Sequence, residues 1–259
     1  MITDVNVNLS HWPTRRLVGD ETADLVARLR QRGVTQAWAG SFDSLLHWDV
    51  GAANARLAAE CRTHGKDFLV PFGTVNPKLP DWQEDLRRCR EEFRMPGIRL
   101  YPNYHGYDLR DAAFTELIRL AAAQRMIVQI ALCMEDERTQ HPLLKAPPVD
   151  SAPLPELLKR EPSLRLVLLN CSPALREGEL EPILAAGQAW CDISMVEGIE
   201  GVGRLVKQVP LQKVLFGSYF PFFYFEAAFF KVQESGLSDT EKDALLAGNA
   251  RQLLTSRTA

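Results

Sequence analysis

Apolar and polar positions along this chain follow two rhythms that take turns, a period of two in short runs and a period of three to four in longer ones. The opening run DVNVNLSHWP sets Val5, Val7 and Leu9 against Asp4, Asn6 and Asn8, which predicts a strand with one apolar and one polar face over residues 3–8. Seven further runs of strand character follow, at 34–40, 68–75, 97–101, 126–132, 164–170, 190–195 and 213–218. Between them lie amphipathic stretches such as DETADLVARLRQRG, AANARLAAECRTHG and DAAFTELIRLAAAQ, with Gly close to several ends. Eight strands and at least seven helices in 259 residues predict parallel strands joined by crossover helices. That count and size specify an α/β fold of the (β/α)8 TIM-barrel type, with an additional helix at the C-terminus. A doubly wound open sheet is the alternative, but no G-x-G-x-x-G follows the first strand and no P-loop occurs. No repeat, low-complexity tract or long linker divides the chain, so residues 1–259 read as one domain.

Composition adds exclusions. The chain is 46% hydrophobic and 24% charged, an ordinary globular profile. The net charge of -3 and the absence of a Lys/Arg run argue against a nucleic-acid partner. Five cysteines, widely spaced and without a C-x-x-C pair, read as reduced buried thiols of a cytoplasmic protein. No stretch approaches the roughly 20 apolar residues of a membrane span, and no signal-peptide pattern opens the chain.

A barrel reading changes what the first strand means. Val5 and Val7 are expected to face the helical layer, and Asp4, Asn6 and Asn8 to point inward, where branched apolar side chains usually pack. An unpaired buried amide costs on the order of 1–3 kcal/mol, so these groups require a hydrogen-bond network or a ligand. Asp4, deepest in the strand, suits an internal network; Asn6 and Asn8 lie nearer the C-terminal end, where barrel enzymes place their chemistry.

Four segments in register, the opening strand, GIRLYPNYHGYDL, VLFGSYFP and GNARQLL, together resemble the amidohydrolase superfamily in its branch of small TIM-barrel hydrolases and decarboxylases. The resemblance implies a first strand ending in H-x-H, further histidines on strands five and six, and an aspartate on strand eight, which together hold a divalent metal. This sequence departs from that pattern at each place: Asn6 and Asn8 replace the paired histidines, strand five offers Gln129 and Ala131, strand six ends in Asn170, and Tyr219 stands where the aspartate belongs. A carboxamide oxygen is a weak ligand for the metals that imidazole suits. The expectation is therefore a site without metal or other cofactor, in which Asn6, Asn8, Asn170 and Tyr219 contact substrate.

Two further clusters carry candidate chemistry. After the fourth strand, RLYPNYHGYDL supplies Arg99 as a bidentate clamp for a carboxylate, Tyr101 as a substrate contact and His105 as an acid–base group. After the fifth, the long loop MEDERTQHPLLKAPPVD brings Glu135, Arg138 and His141 within seven positions. Glu135 and His141 are expected to share proton transfer, with Arg138 binding substrate charge. The aromatic run FPFFYFEAAFF fits core packing or a homo-oligomer contact.

These residues support a metal-independent hydrolase of a small carboxylate, amide or lactone. The alternatives are a barrel that has lost catalysis and binds a small molecule or partner protein, and a lyase or decarboxylase with a relocated metal. Convergence of His105, Glu135 and His141 with Asn6 and Arg99 in one pocket distinguishes the first from the others.

Overall fold

The alternation of the opening run produces β1 (Ile2–Leu9), whose residues are all buried. It pairs in parallel with β2 (Val34–Ser41), but between Asp4 and Val7 three steps along β1 match two along β2. This bulge breaks the period of two. Val5 consequently joins the apolar core inside the barrel with Trp38, Phe72, Val167 and Leu215, not the helical layer. Val7 faces that layer as expected, and Leu9 joins it.

The remaining strands are β3 (Leu69–Gly73), β4 (Gly97–Leu100), β5 (Ile127–Ala131), β6 (Arg165–Leu169), β7 (Ala189–Asp192) and β8 (Val214–Leu215). They form one sheet in the order β1 to β8, every neighbouring pair parallel. The seam closes through Val5 N to Phe216 O (2.9 Å), Asn8 N to Phe220 O (3.0 Å) and a bridge between Val7 and Phe220. The computed structural model describes residues 1–256, and the (β/α)8 barrel is the architecture the pattern predicts. β7 and β8 are shorter than the apolar runs suggest. Beyond Leu215 the chain bends to meet β1, and Gly217 packs so tightly that a Cβ there would lie 2.4 Å from Asp192 Oδ2.

Helices form where apolar positions recur at three and four. In α1 (Thr22–Gln31), Leu25, Val26 and Leu29 are buried, and Arg28 pairs with Asp24 on the outer face. Asp49 caps α2 (Val50–His64) by accepting from Ala52 N at 2.8 Å. A later helix (Ala112–Ala123) buries Phe114, Leu117, Ile118, Ala121 and Ala122. The additional C-terminal helix (Asn249–Thr255) sends Ala250 and Leu253 into the inner core, and Arg165 on β6 donates to Leu253 O at 3.1 Å. Because Arg165 opens its strand, this helix covers the N-terminal end of the barrel and leaves the C-terminal end for chemistry. Among the described residues, no helix is long and apolar enough to cross a membrane.

Candidate functional site

Inward positions on successive strands place Arg99 and Gln129 side by side, since β4 and β5 pair in register at these two residues. Arg99 is 1% exposed. Its Nε donates to Gln129 Oε1 (2.8 Å), Nη1 to Val7 O (2.8 Å) and Asn8 Oδ1 (2.9 Å), and Nη2 to Val5 O (3.2 Å) and Trp38 O (3.1 Å). Every guanidinium nitrogen is thus engaged inside the barrel. Two of the three carbonyls belong to the bulged stretch of β1, which explains why a cation sits at the axis: it satisfies backbone groups the bulge removes from the ladder. Gly40 makes room, because a Cβ there would stand 2.7 Å from Arg99 Nη1. The carboxylate clamp expected at Arg99 is therefore corrected to an internal lock.

A second network joins β1, β6 and β7. Asn6 Nδ2 donates to Asn170 Oδ1 and Asp192 Oδ2, both at 2.7 Å, and Ser194 Oγ donates to Asn170 Oδ1 at 2.7 Å. Asn170, held at φ 55° at the end of β6, donates its backbone N–H to Asp192 Oδ1 and its Nδ2 to Cys133 O. Asp192 and Ser194 do not figure among the sequence candidates. Their signal was the alternation D-x-S at the end of the seventh apolar run, the same signal that singled out Asn6 and Asn8. Burial pushes the Asp192 carboxyl up. Asp4, which accepts from Ser218 N and Oγ and from Asn6 N, is pushed up to about 7 by burial.

Above these networks an aromatic layer closes the axis. Asn8 Oδ1 also receives Tyr101 OH at 3.3 Å, and Tyr219 OH donates to Met134 O at 2.8 Å. The Tyr219 ring stacks on Phe222 (4.9 Å), and Trp12 meets Phe222 (4.7 Å) and Phe42 (5.1 Å) edge-on. Arg15 lies over Phe222 and ties the loop after β1 to the loop after β5 through Glu135 Oε1 at 3.0 Å.

The open space lies to one side of the axis. A cleft of ≈ 660 Å³ is lined by the loops after β5, β6, β7 and β8 and by the helix Gly201–Gln208. Glu135 and Arg138 line it, with Ser172, Glu197 and Arg204, while Met195, Val196, Leu205 and Phe223 supply apolar wall. Glu135 is the buried ionisable side chain of this set, 4% exposed. Arg138 pairs with Asp136 at 2.6 Å, whereas Arg204 donates to Glu197 O at 3.3 Å and forms no ion pair among the described residues. Sequence reasoning missed Ser172, on the loop after β6, and Arg204, on the helix Gly201–Gln208 that follows β7; only the fold sets how these approach the fifth loop.

The two histidines are elsewhere. His105 lines a separate recess with His47 and Trp48. His141 is exposed and its Nδ1 accepts from Leu143 N at 3.2 Å, closing a turn of the fifth loop. The structure therefore brings Glu135 together with Arg138, Asn6 with Asn170, and Asn8 with Arg99 and Tyr101, but it does not assemble His105, Glu135 and His141. Among the described residues, one group of three His, Cys, Asp or Glu donors lies close enough to share an ion: His11, Asp20 and Glu21. Arg16 already binds both of those carboxylates.

Comparison with known proteins places this arrangement in context. The sequence profile described as amidohydrolase matches residues 13–255. No curated protein sequence matches this chain significantly. Similar solved structures include a 5-carboxyvanillate decarboxylase from Sphingomonas paucimobilis, 12% identical, with a TM-score of 0.76 and 98% of each chain covered. A dihydroxybenzoic acid decarboxylase from Polaromonas sp. JS666, with bound manganese and the inhibitor 2-nitroresorcinol, is 13% identical with a TM-score of 0.73, covering 99% of this chain and 98% of that one. A 4-oxalomesaconate hydratase from Rhodopseudomonas palustris is 15% identical with a TM-score of 0.67, covering 98% of this chain and 96% of that one. At these identities the likeness shows the shared fold.

Proposed function

The chain belongs to the amidohydrolase family, and from that premise we propose that it transforms a small carboxylate, amide or lactone in the ≈ 660 Å³ side cleft, with Glu135 as the proton-transferring group and without a metal at the strand ends. The observation that carries this reading is a buried carboxylate opening into a cleft at the C-terminal face of the barrel.

The donor chemistry at the strand ends supports the metal-free part. Asn8 Oδ1 accepts from Arg99 Nη1 at 2.9 Å and from Tyr101, and Asn170 Oδ1 accepts from Asn6 and Ser194. Tyr219 OH donates its hydrogen bond to Met134 O. A divalent ion does not fit oxygens already used in this way, with a guanidinium beneath them.

In the cleft, Arg204 has guanidinium nitrogens to offer a substrate carboxylate, and the apolar wall takes the carbon skeleton. Glu135, whose Oε1 is held 3.0 Å from Arg15 Nη1, takes a proton from water as that water adds to the substrate carbonyl carbon. It returns the proton to the departing oxygen or nitrogen. Decarboxylation and hydration, the reactions named for the relatives, are alternatives for the same carboxylate, which would then protonate carbon.

The test is a substrate screen of amides, lactones and carboxylic acids with product analysis, run with and without chelator. Glu135→Gln should lower kcat about 10²–10⁴-fold in an activity that chelator leaves unchanged. Loss of activity on chelation, with recovery on adding manganese, would overturn the metal-free reading; full activity in Glu135→Gln would overturn the role of Glu135. A second reading, a barrel that binds its ligand without turnover, is favoured by the placement of His105 and His141 outside the cleft. Saturable binding of a small acid with no product formed would select it.

A further inference from the structure

A second recess, of ≈ 260 Å³, lies over another arc of the barrel mouth, walled by Leu45, His47 and Trp48 after β2, Asn76 after β3, and Tyr104 and His105 after β4. Its chemistry differs from that of the cleft. Among the described residues its walls hold no carboxylate, lysine or arginine, so ion pairing does not select its ligand.

Hydrogen bonding assigns the state of both imidazoles. His105 Nε2 lies 2.8 Å from the carbonyl oxygen of Ser44. A carbonyl can only accept, so Nε2 carries the proton and Nδ1 is left an acceptor. That Nδ1 is buried without a hydrogen-bond partner among the described residues. Burial also holds the His105 pKa below its ordinary value, which keeps the ring neutral. On His47, Nδ1 lies 3.3 Å from Arg56 Nη2, which can only donate. Beside them Trp48 is 85% exposed, a flat apolar surface free on the solvent side.

From this juxtaposition we infer that the recess binds an uncharged flat ring carrying an O–H or N–H donor, the ring lying on Trp48 and the donor meeting His105 Nδ1. The orphaned acceptor supplies the directional term, since a buried acceptor gains more from a new partner than one already bonded to water. Trp48 supplies the non-directional term. The volume holds on the order of nine waters, which suits one substituted ring rather than a fused polycycle. Nδ1 has no surface of its own open to solvent, so the ligand engages it through a tilt of the imidazole, whose residue already lines the recess. The site shares no lining residue with the cleft of Glu135 and stands or falls independently of that cleft's chemistry.

Phenol and anisole are the probes, because the rings match and only phenol carries the donor. Titration of the full chain should give saturable quenching of Trp48 emission, assigned by difference from Trp48→Ala. Phenol should bind about ten-fold tighter than anisole and displace the His105 Nδ1 nitrogen resonance, which anisole leaves in place. His105→Phe should erase the phenol-to-anisole ratio. Equal affinity of the two probes, phenol quenching that does not saturate, or an unmoved His105 resonance would overturn the inference. If His105→Phe does not fold, the wild-type ratio and the nitrogen resonance decide it.

Discussion

Two polar regions lie at the same end of the barrel and are built on opposite terms. On the axis, Arg99, Gln129, Asn8, Asn6, Asn170 and Asp192 are each 1% exposed or less, bonded to one another and to backbone. To the side, Glu135, Arg138 and Arg204 line a cleft open to solvent. The difference teaches that polarity at strand ends does not itself mark a ligand site. What marks one is the set of donors and acceptors left over once the interior has been accounted for. Asn8 shows the distinction within one side chain: its Oδ1 is taken twice, while its Nδ2 has no partner among the described residues.

If the axis is structural and the cleft is not, substitutions should separate them by stability. The largest loss is expected from Arg99→Met, which removes all five guanidinium hydrogen bonds and leaves Asn8 Oδ1 with Tyr101 OH and Val5 O with Gln129 Nε2 as remaining donors. Denaturant unfolding should show a loss of about 3–5 kcal/mol. A loss below about 1 kcal/mol would show that the guanidinium is no lock.

Asp4 tests the axis by pH. Its folded pKa, about 7, lies above the ordinary aspartate value of 3.8 because burial penalises the carboxylate. The folded state therefore binds more protons than the unfolded state between those values, and stability falls as pH rises through that window. Asp192 is shifted in the same direction. Asp4→Asn should flatten the fall by an amount on the order of a few kcal/mol, measured as unfolding free energy at pH 4 and pH 8. An unchanged slope would remove Asp4 from the account.

A smaller effect tests the fit around the lock. Gly40→Ala places a Cβ 2.7 Å from Arg99 Nη1, and the strain should cost about 1–3 kcal/mol. Combined with Arg99→Ala, which removes both the Nη1 and the Cδ that the new Cβ meets, the cost should largely vanish, a coupling that a double-mutant cycle reads directly.

The smallest change is expected in the cleft. Glu135→Gln breaks an ion pair whose partner Arg15 is 46% exposed, so stability should move by no more than about 1 kcal/mol while turnover collapses. A stability loss matching that of Arg99→Met would make the two regions one network and erase the comparison.

The barrel was legible because period-two and period-three-to-four runs are local, and eight alternations admit few topologies. The inward direction of Asn6 and Asn8 was legible for the same reason. Val5 was misplaced because a bulge is a mismatch between two strands, invisible in either one alone. Glu135 and Arg138 come out together because they are neighbours on one loop. His105 and His141 do not join them, since their separation depends on how the loops after β4 and β5 fold back, and sequence spacing carries no such information.

By itself, the sequence determined the class of fold, the count and order of its strands, and the presence of asparagine toward the ends of the first and sixth strands. Only the tertiary structure decided which polar groups are free. A hydrogen bond such as Arg99 to Asn8 joins residues 91 positions apart, and its existence depends on barrel closure. The asparagines of the first strand are therefore predicted by alternation to point inward, but their partners are assigned by the fold.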